Sequence, residues 1–182
     1  QEPWARHYRM YEYVTRELPA LVEANLPLTD ARSIAGHSMG GHGALICALK
    51  EPDRYRSVSA FAPICHPMAC SWGQGCFKAY LGSNREDWVA YDTVRLIEEG
   101  TSAIPLLIDQ GTADEFLAQQ LHPTSLERIC AARNFPLTLR WQEGYDHSYH
   151  FIATFIGEHL AYHAGHLRET RPSETAAKPA AR

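Results

Sequence analysis

The run Ser33-Ile34-Ala35-Gly36-His37-Ser38-Met39-Gly40-Gly41-His42-Gly43-Ala44-Leu45 decides the fold. Its first three residues read as a short extended segment that stops at Gly36, and the Gly- and Ala-rich stretch from Met39 to Leu49 suits a tightly packed helix. Between them Gly36-His37-Ser38-Met39-Gly40 matches G-x-S-x-G, the pattern of a strand-to-helix elbow that holds a serine hydroxyl out on a strained turn. Glycines two residues to either side of the serine are expected because backbone crosses there too closely for a Cβ, and Gly41 and Gly43 read as further close-packing positions. The helix start also turns N–H groups and the positive end of its dipole toward developing negative charge. Ser38 is therefore the candidate nucleophile.

Upstream of the elbow, Tyr8, Met10, Tyr11, Tyr13, Val14, Leu18, Leu21 and Val22 recur at helical spacing, so Arg6 to Val22 reads as one amphipathic helix ahead of a turn-rich Asn25 to Asp30. Downstream, Val58 to Ala62, Ile104 to Asp109 and Leu137 to Gln142 read as buried strands. Helical segments fall at Trp88 to Glu99, Thr124 to Arg133 and Phe151 to Leu167. Strands alternating with helices imply βαβ units, hence an α/β fold with a mostly parallel sheet and helices on both faces. Pro63 to Asn84 breaks the rhythm. Its Pro63, Pro67, Gly73, Gly75 and Gly82 interrupt Trp72, Phe77 and Tyr80, which predicts a loop excursion of functional or lid type, with Trp72 narrowing an acyl pocket. One catalytic domain over 1–167 and a disordered tail over 168–182 follow.

A serine hydroxyl attacks well only when a positioned base takes its proton and a third group orients that base. In elbow enzymes these follow in the chain order Ser, Asp or Glu, His, each just past a later strand. Asp114, in Gly111-Thr112-Ala113-Asp114, and His147, in Gly144-Tyr145-Asp146-His147, occupy such places. Asp109 and Asp146 compete for the acid, and His122 and His150 for the base; loop placement favours Asp114 and His147. His159, His163 and His166 share a helix face, but without a carboxylate or cysteine in register they read as a solvated face rather than a metal site.

Composition narrows the classes. The 182 residues carry 17 Lys+Arg against 21 Asp+Glu, a formal net charge of -4, and 45% are apolar, so a core can form and no basic face for nucleic acid is indicated. The five cysteines, Cys47, Cys65, Cys70, Cys76 and Cys130, are odd in number with no C-x-x-C pair, which predicts neither a disulfide framework nor a zinc ribbon and points to a reducing, cytoplasmic compartment. No apolar run approaches the roughly 18 residues of a membrane span. No cofactor or metal is called for.

The runs Glu2-Pro3-Trp4, Tyr8-Arg9-Met10-Tyr11, Gly36 to Leu45, Ser57 to Ile64, Tyr80-Leu81-Gly82, Ile108-Asp109-Gln110-Gly111 and Glu143 to Tyr149 resemble the S-formylglutathione hydrolase (esterase D) family of α/β-hydrolases. The resemblance runs from Gln1 to about Leu167. It implies a serine thioesterase that takes the small molecule S-formylglutathione to formate and glutathione in formaldehyde detoxification, with side activity on small carboxyl esters and a homodimeric assembly. It also implies a triad at Ser38, Asp114 and His147 and an oxyanion donor at the Met39 N–H. The family's other oxyanion donor follows an early strand with no counterpart among the residues before Ser38. The expectation is thus an N-terminally incomplete hydrolase in which Ser33 to Ala35 forms an unpaired sheet edge. A general carboxylesterase and a catalytically silent fragment are the alternative readings.

Overall fold

The computed structural model describes residues 1–7 and 9–168. The expected tail lies outside them except for Arg168, which continues the last helix. Tyr8 is likewise outside.

The first helical segment is shorter at its start and less regular than the periodicity predicts. A 3₁₀ turn spans Trp4–Arg6, α1 spans Met10–Glu12, a π-helical stretch spans Tyr13–Glu17, and α2 spans Leu18–Asn25 with Pro19 in its first turn. The chain then forms β1 (Ile34–His37), the elbow at Ser38, and α3 (Met39–Lys50). Next come β2 (Val58–Phe61), α4 (Ser71–Tyr80), α5 (Glu86–Val89), α6 (Thr93–Glu98) and β3 (Leu106–Gly111). The chain closes with α7 (Pro123–Arg133), β4 (Leu137–Gln142) and α8 (Tyr149–Arg168).

The four strands lie in the order β1-β2-β3-β4, each pair parallel, with Gly36 opposite Ala60, Ala60 opposite Ile108 and Ile108 opposite Leu139. Alternation along the strands makes two different faces. Val58, Ala60, Leu106 and Ile108 point into an apolar core with Leu45, Ala48 and Leu49 of α3, Ile97 of α6, and Leu126 and Cys130 of α7. Ser57, Ser59, Phe61 and Asp109 face the other way, toward α8. Among the described residues β1 is a sheet edge, as the sequence predicts.

Two expectations are corrected. The Pro63 to Asn84 excursion is not a loop: a 3₁₀ turn at Pro67–Ala69 leads into α4, whose start is capped by the Cys70 thiol sulfur accepting from the Gly73 N–H at 3.3 Å. Its glycines disguise a helix that buries Phe77. Nor do His159 and His163 form a solvated face. His159 is fully buried and His163 nearly so, and the two imidazoles tie α8 to the sheet. His159 Nδ1 lies 2.8 Å from Ser59 Oγ, and its Nε2 meets Asp109 Oδ2 at 3.3 Å in an electrostatic contact rather than an aligned hydrogen bond. Ser59 Oγ lies 2.8 Å from His163 Nε2, and His163 Nδ1 lies 2.8 Å from Ser57 Oγ. Ser33 extends the chain to β1, its hydroxyl 2.8 Å from that of Ser57. Burial holds the His163 imidazole at a pKa of about 4, so it docks neutral.

Candidate active site

The elbow forms as the sequence predicts. Ser38 has φ 56° and ψ -118°, a backbone conformation that side-chain-bearing residues rarely adopt, and its N–H is anchored to the Phe61 carbonyl of β2 at 2.9 Å. Gly36 is required by close approach: a Cβ there would lie 2.1 Å from the Gly40 carbonyl oxygen and 2.3 Å from its carbon. At Gly40 and Gly43 a Cβ would meet nothing within 4 Å, so these two glycines are not the tight positions the motif suggested. Met39 is the first residue of α3, where backbone N–H groups have no partner within the helix.

Ser38, His147 and Asp114 converge. Ser38 Oγ lies 2.8 Å from His147 Nε2, and His147 Nδ1 lies 2.6 Å from Asp114 Oδ2. Because the carboxylate can only accept, Nδ1 carries the ring proton and donates it to that hydrogen bond, and Nε2 is left as the acceptor facing the serine hydroxyl. Asp114 follows β3 and His147 follows β4, so parallel pairing of adjacent strands delivers both loops to one end of the sheet, beside the end of β1. The loops are also bonded together. Thr112 N–H donates to the Gln142 carbonyl at 3.0 Å, Ala113 N–H to the Tyr145 carbonyl at 3.0 Å, and Gly144 N–H to Thr112 Oγ1 at 2.9 Å.

Burial alone would raise the Asp114 carboxyl. Hydrogen bonds from His147 and the Phe116 N–H, the His147 charge, and the Gln110 amide together hold it below the usual carboxylate range. His37, on β1 just before the nucleophile, lies tilted against the His147 ring at 4.6 Å, and burial followed by repulsion from His147 lowers its pKa. Phe116 meets the other side of His147 edge-on at 4.9 Å, and Trp72 of α4 leans on Phe116 at 5.0 Å, with nearly half of its side chain open to solvent. Phe116 and Trp72 thus set an apolar wall beside His147.

The rivals lie elsewhere. Asp109 is fully buried and chelates the Arg140 guanidinium at 2.5 and 2.6 Å. Asp146 accepts from the Ser148 N–H at 3.0 Å ahead of α8. His150 stacks on Tyr145, and His122 precedes α7 in a left-handed conformation. Sequence reasoning did not single out His37, Gln110 or Phe116. The first lay inside the quoted motif and the second beside a rival acid, but their contacts depend on how the loops pack. Among the described residues no group of three or more His, Cys, Asp or Glu side chains is arranged to hold a metal ion, and no helix is long and apolar enough to cross a membrane.

Comparison with known proteins adds the lineage: a family model described as a putative esterase matches residues 1–162. The chain belongs to that esterase family. The chain is 56% identical over 170 residues to S-formylglutathione hydrolase of Mus musculus, covering 92% of this chain and 60% of that protein. Among solved structures it resembles an S-formylglutathione hydrolase from Agrobacterium tumefaciens, with 48% identity and a TM-score of 0.88 over 92% of this chain and 61% of that one. FphF of Staphylococcus aureus, a fluorophosphonate-binding serine hydrolase, shares the fold at a TM-score of 0.67 and 23% identity, over 87% of this chain and 64% of its own. The chain thus has the α/β-hydrolase fold, and it spans about 60% of the length of the first two relatives.

Proposed function

We propose that this esterase is a serine thioesterase that hydrolyses S-formylglutathione to formate and glutathione, a step of formaldehyde detoxification. The observation that carries the reading is the aligned chain from Ser38 Oγ through His147 to Asp114, with separations of 2.8 and 2.6 Å. The names of the mouse and Agrobacterium relatives support the substrate.

In this mechanism His147 Nε2 takes the Ser38 proton as Oγ attacks the formyl carbonyl carbon. Asp114 fixes the imidazole tautomer and offsets the charge of the imidazolium. The oxyanion gathers against the Met39 N–H at the positive end of α3. Collapse of the tetrahedral adduct breaks the C–S bond, and glutathione leaves as its thiol with the proton from His147. Water then gives a proton to His147, attacks the formyl-serine, and releases formate and free Ser38. No step calls for a cofactor. Trp72 and Phe116 narrow the acyl side of the pocket.

The esterase acts in a reducing, cytoplasmic compartment in this reading, which the free state of all five cysteines supports. Homodimeric assembly is part of the same proposal, and sedimentation analysis tests it. Comparing kcat/KM on S-formylglutathione and on an aryl acetate tests the substrate. A clear preference for the thioester is expected, and a preference for the aryl ester would replace the reading with a general carboxylesterase.

A further inference from the structure

The acid of the triad is held by a residue that the relay itself does not use. Gln110, near the end of β3, is fully buried. Its Nε2 lies 3.2 Å from Asp114 Oδ2, the same oxygen that faces His147 Nδ1, and 3.2 Å from the Gly111 carbonyl oxygen. Both amide hydrogens therefore have acceptors. Its other polar atom, Oε1, is buried with no hydrogen-bond partner. An orphaned buried carbonyl opposes folding, so an apolar side chain of similar size would be the cheaper way to fill this space. What an apolar side chain lacks is the pair of N–H donors.

We propose that Gln110 is a positioning residue, whose amide clamps the turn from Gly111 to Asp114 and holds the Asp114 carboxylate in the orientation that faces His147. The proposal rests on the reading of Ser38, His147 and Asp114 as a catalytic relay. The surroundings make the clamp specific. Asp114 Oδ1 is fixed by the Phe116 N–H at 2.8 Å, so Oδ2 is the oxygen free to swing, and among the described residues His147 and Gln110 hold it. The turn runs close against the neighbouring loop, where a Cβ at Gly111 would lie 2.2 Å from the Tyr145 carbonyl oxygen. During turnover His147 becomes a cation twice and gives its proton away each time, so its hold on Oδ2 changes four times in each cycle. The amide hold does not change. The titratable groups near the acid are His147 directly, and His37 behind it.

Two variants test this. Gln110→Met keeps the volume and removes both donors. Gln110→Glu keeps the shape and replaces a donor with an acidic group beside a second carboxylate. The Asp114 carboxyl is followed by ¹³C NMR titration, and aryl acetate turnover is measured alongside. With the donor gone, Asp114 should titrate higher in Gln110→Met by on the order of half a pH unit, and by about one unit or more in Gln110→Glu, where like charges meet. Turnover of Gln110→Met should fall about 10-fold in kcat with KM nearly unchanged, as expected when one charge-assisted hydrogen bond is lost at the transition state. An Asp114 titration that coincides in parent and both variants overturns the proposal, and Gln110 then only fills space. If Gln110→Met does not fold, Gln110→Asn, which keeps the amide but draws it back from Oδ2, decides instead: an Asp114 titration and kcat matching the parent overturn the proposal. Failure of the catalytic reading would look different: Asp114 would still respond to Gln110, while the parent neither turned over ester nor accepted a fluorophosphonate at Ser38.

Discussion

Asp114 and Asp109 lie close in sequence, both are buried, and both face a histidine, yet the structure gives them different work. Asp114→Asn is the sharper perturbation. The carboxylate accepts from His147 Nδ1 and Gln110 Nε2 through Oδ2 and from the Phe116 N–H through Oδ1. An Asn amide must present NH₂ to one side or the other. Toward His147, it forces the imidazole to accept at Nδ1 and to carry its proton on Nε2, pointing at Ser38, where the ring can no longer act as a base. Toward Phe116, it sets donor against donor in a buried place and still removes the charge that offsets the imidazolium. Either way kcat should fall on the order of 10³- to 10⁴-fold, about 4–5.5 kcal/mol of transition-state stabilisation. Asp109→Asn is the control. It breaks the paired contact with Arg140 and the contact with His159, so it should cost about 3 kcal/mol of stability, the low end for a buried pair because Arg140 is partly exposed, while the folded fraction keeps its turnover. Aryl acetate kinetics and urea unfolding at pH 7 measure the two effects. A larger loss of kcat in Asp109→Asn than in Asp114→Asn would refute the assignment of the acid.

Further expectations concern the elbow, the buried histidines and a helix end. Gly36→Ala places a Cβ against the backbone of Gly40 and Gly41, which no side-chain rotation relieves; a loss of about 3 kcal/mol and slow fluorophosphonate labelling are expected, and a parent-like melt with parent-like labelling would contradict the crossing. His163 is held near a pKa of about 4 in the folded chain against about 6.5 for a free imidazole. The unfolded chain therefore binds more protons between those values, and this group's contribution to stability is whole above pH 6.5 and is lost as pH falls toward 4. At pH 5 the loss is about 2 kcal/mol, and His163→Asn should flatten the dependence of the urea midpoint on pH. Asn134 ends α7 at φ 51°, so Asn134→Val should cost about 1–2 kcal/mol while Asn134→Gly holds or raises the melting temperature.

Much of the site was legible because its signals are local or ordinal. The Gly36-to-Gly40 elbow is a local pattern, and the order serine, acid, histidine past successive strands is a property of parallel sheets. Ser38, Asp114 and His147 therefore emerged without any knowledge of packing. What escaped depends on contacts between distant segments. The Gly73 and Gly75 of the excursion read as loop punctuation, yet α4 forms there because Cys70 caps it and Phe77 finds a buried place. The spacing of His159 and His163 was seen correctly, but a helical stripe of histidines carries no mark of which face it turns to the core. Ser59 of β2 and Ser57 just before it reveal, through their bonds to these imidazoles, that the stripe is buried. Gln110 was hidden for a similar reason, since a glutamine beside Asp109 shows nothing of a bond to Asp114 four residues on.

The most direct test is intact-mass analysis after exposure of the chain to a fluorophosphonate, with Ser38→Ala as the control. An armed relay predicts one covalent adduct on Ser38, abolished in the control and slowed strongly in His147→Ala. A folded chain that takes no adduct at Ser38, or that labels equally well without His147, would contradict the catalytic reading.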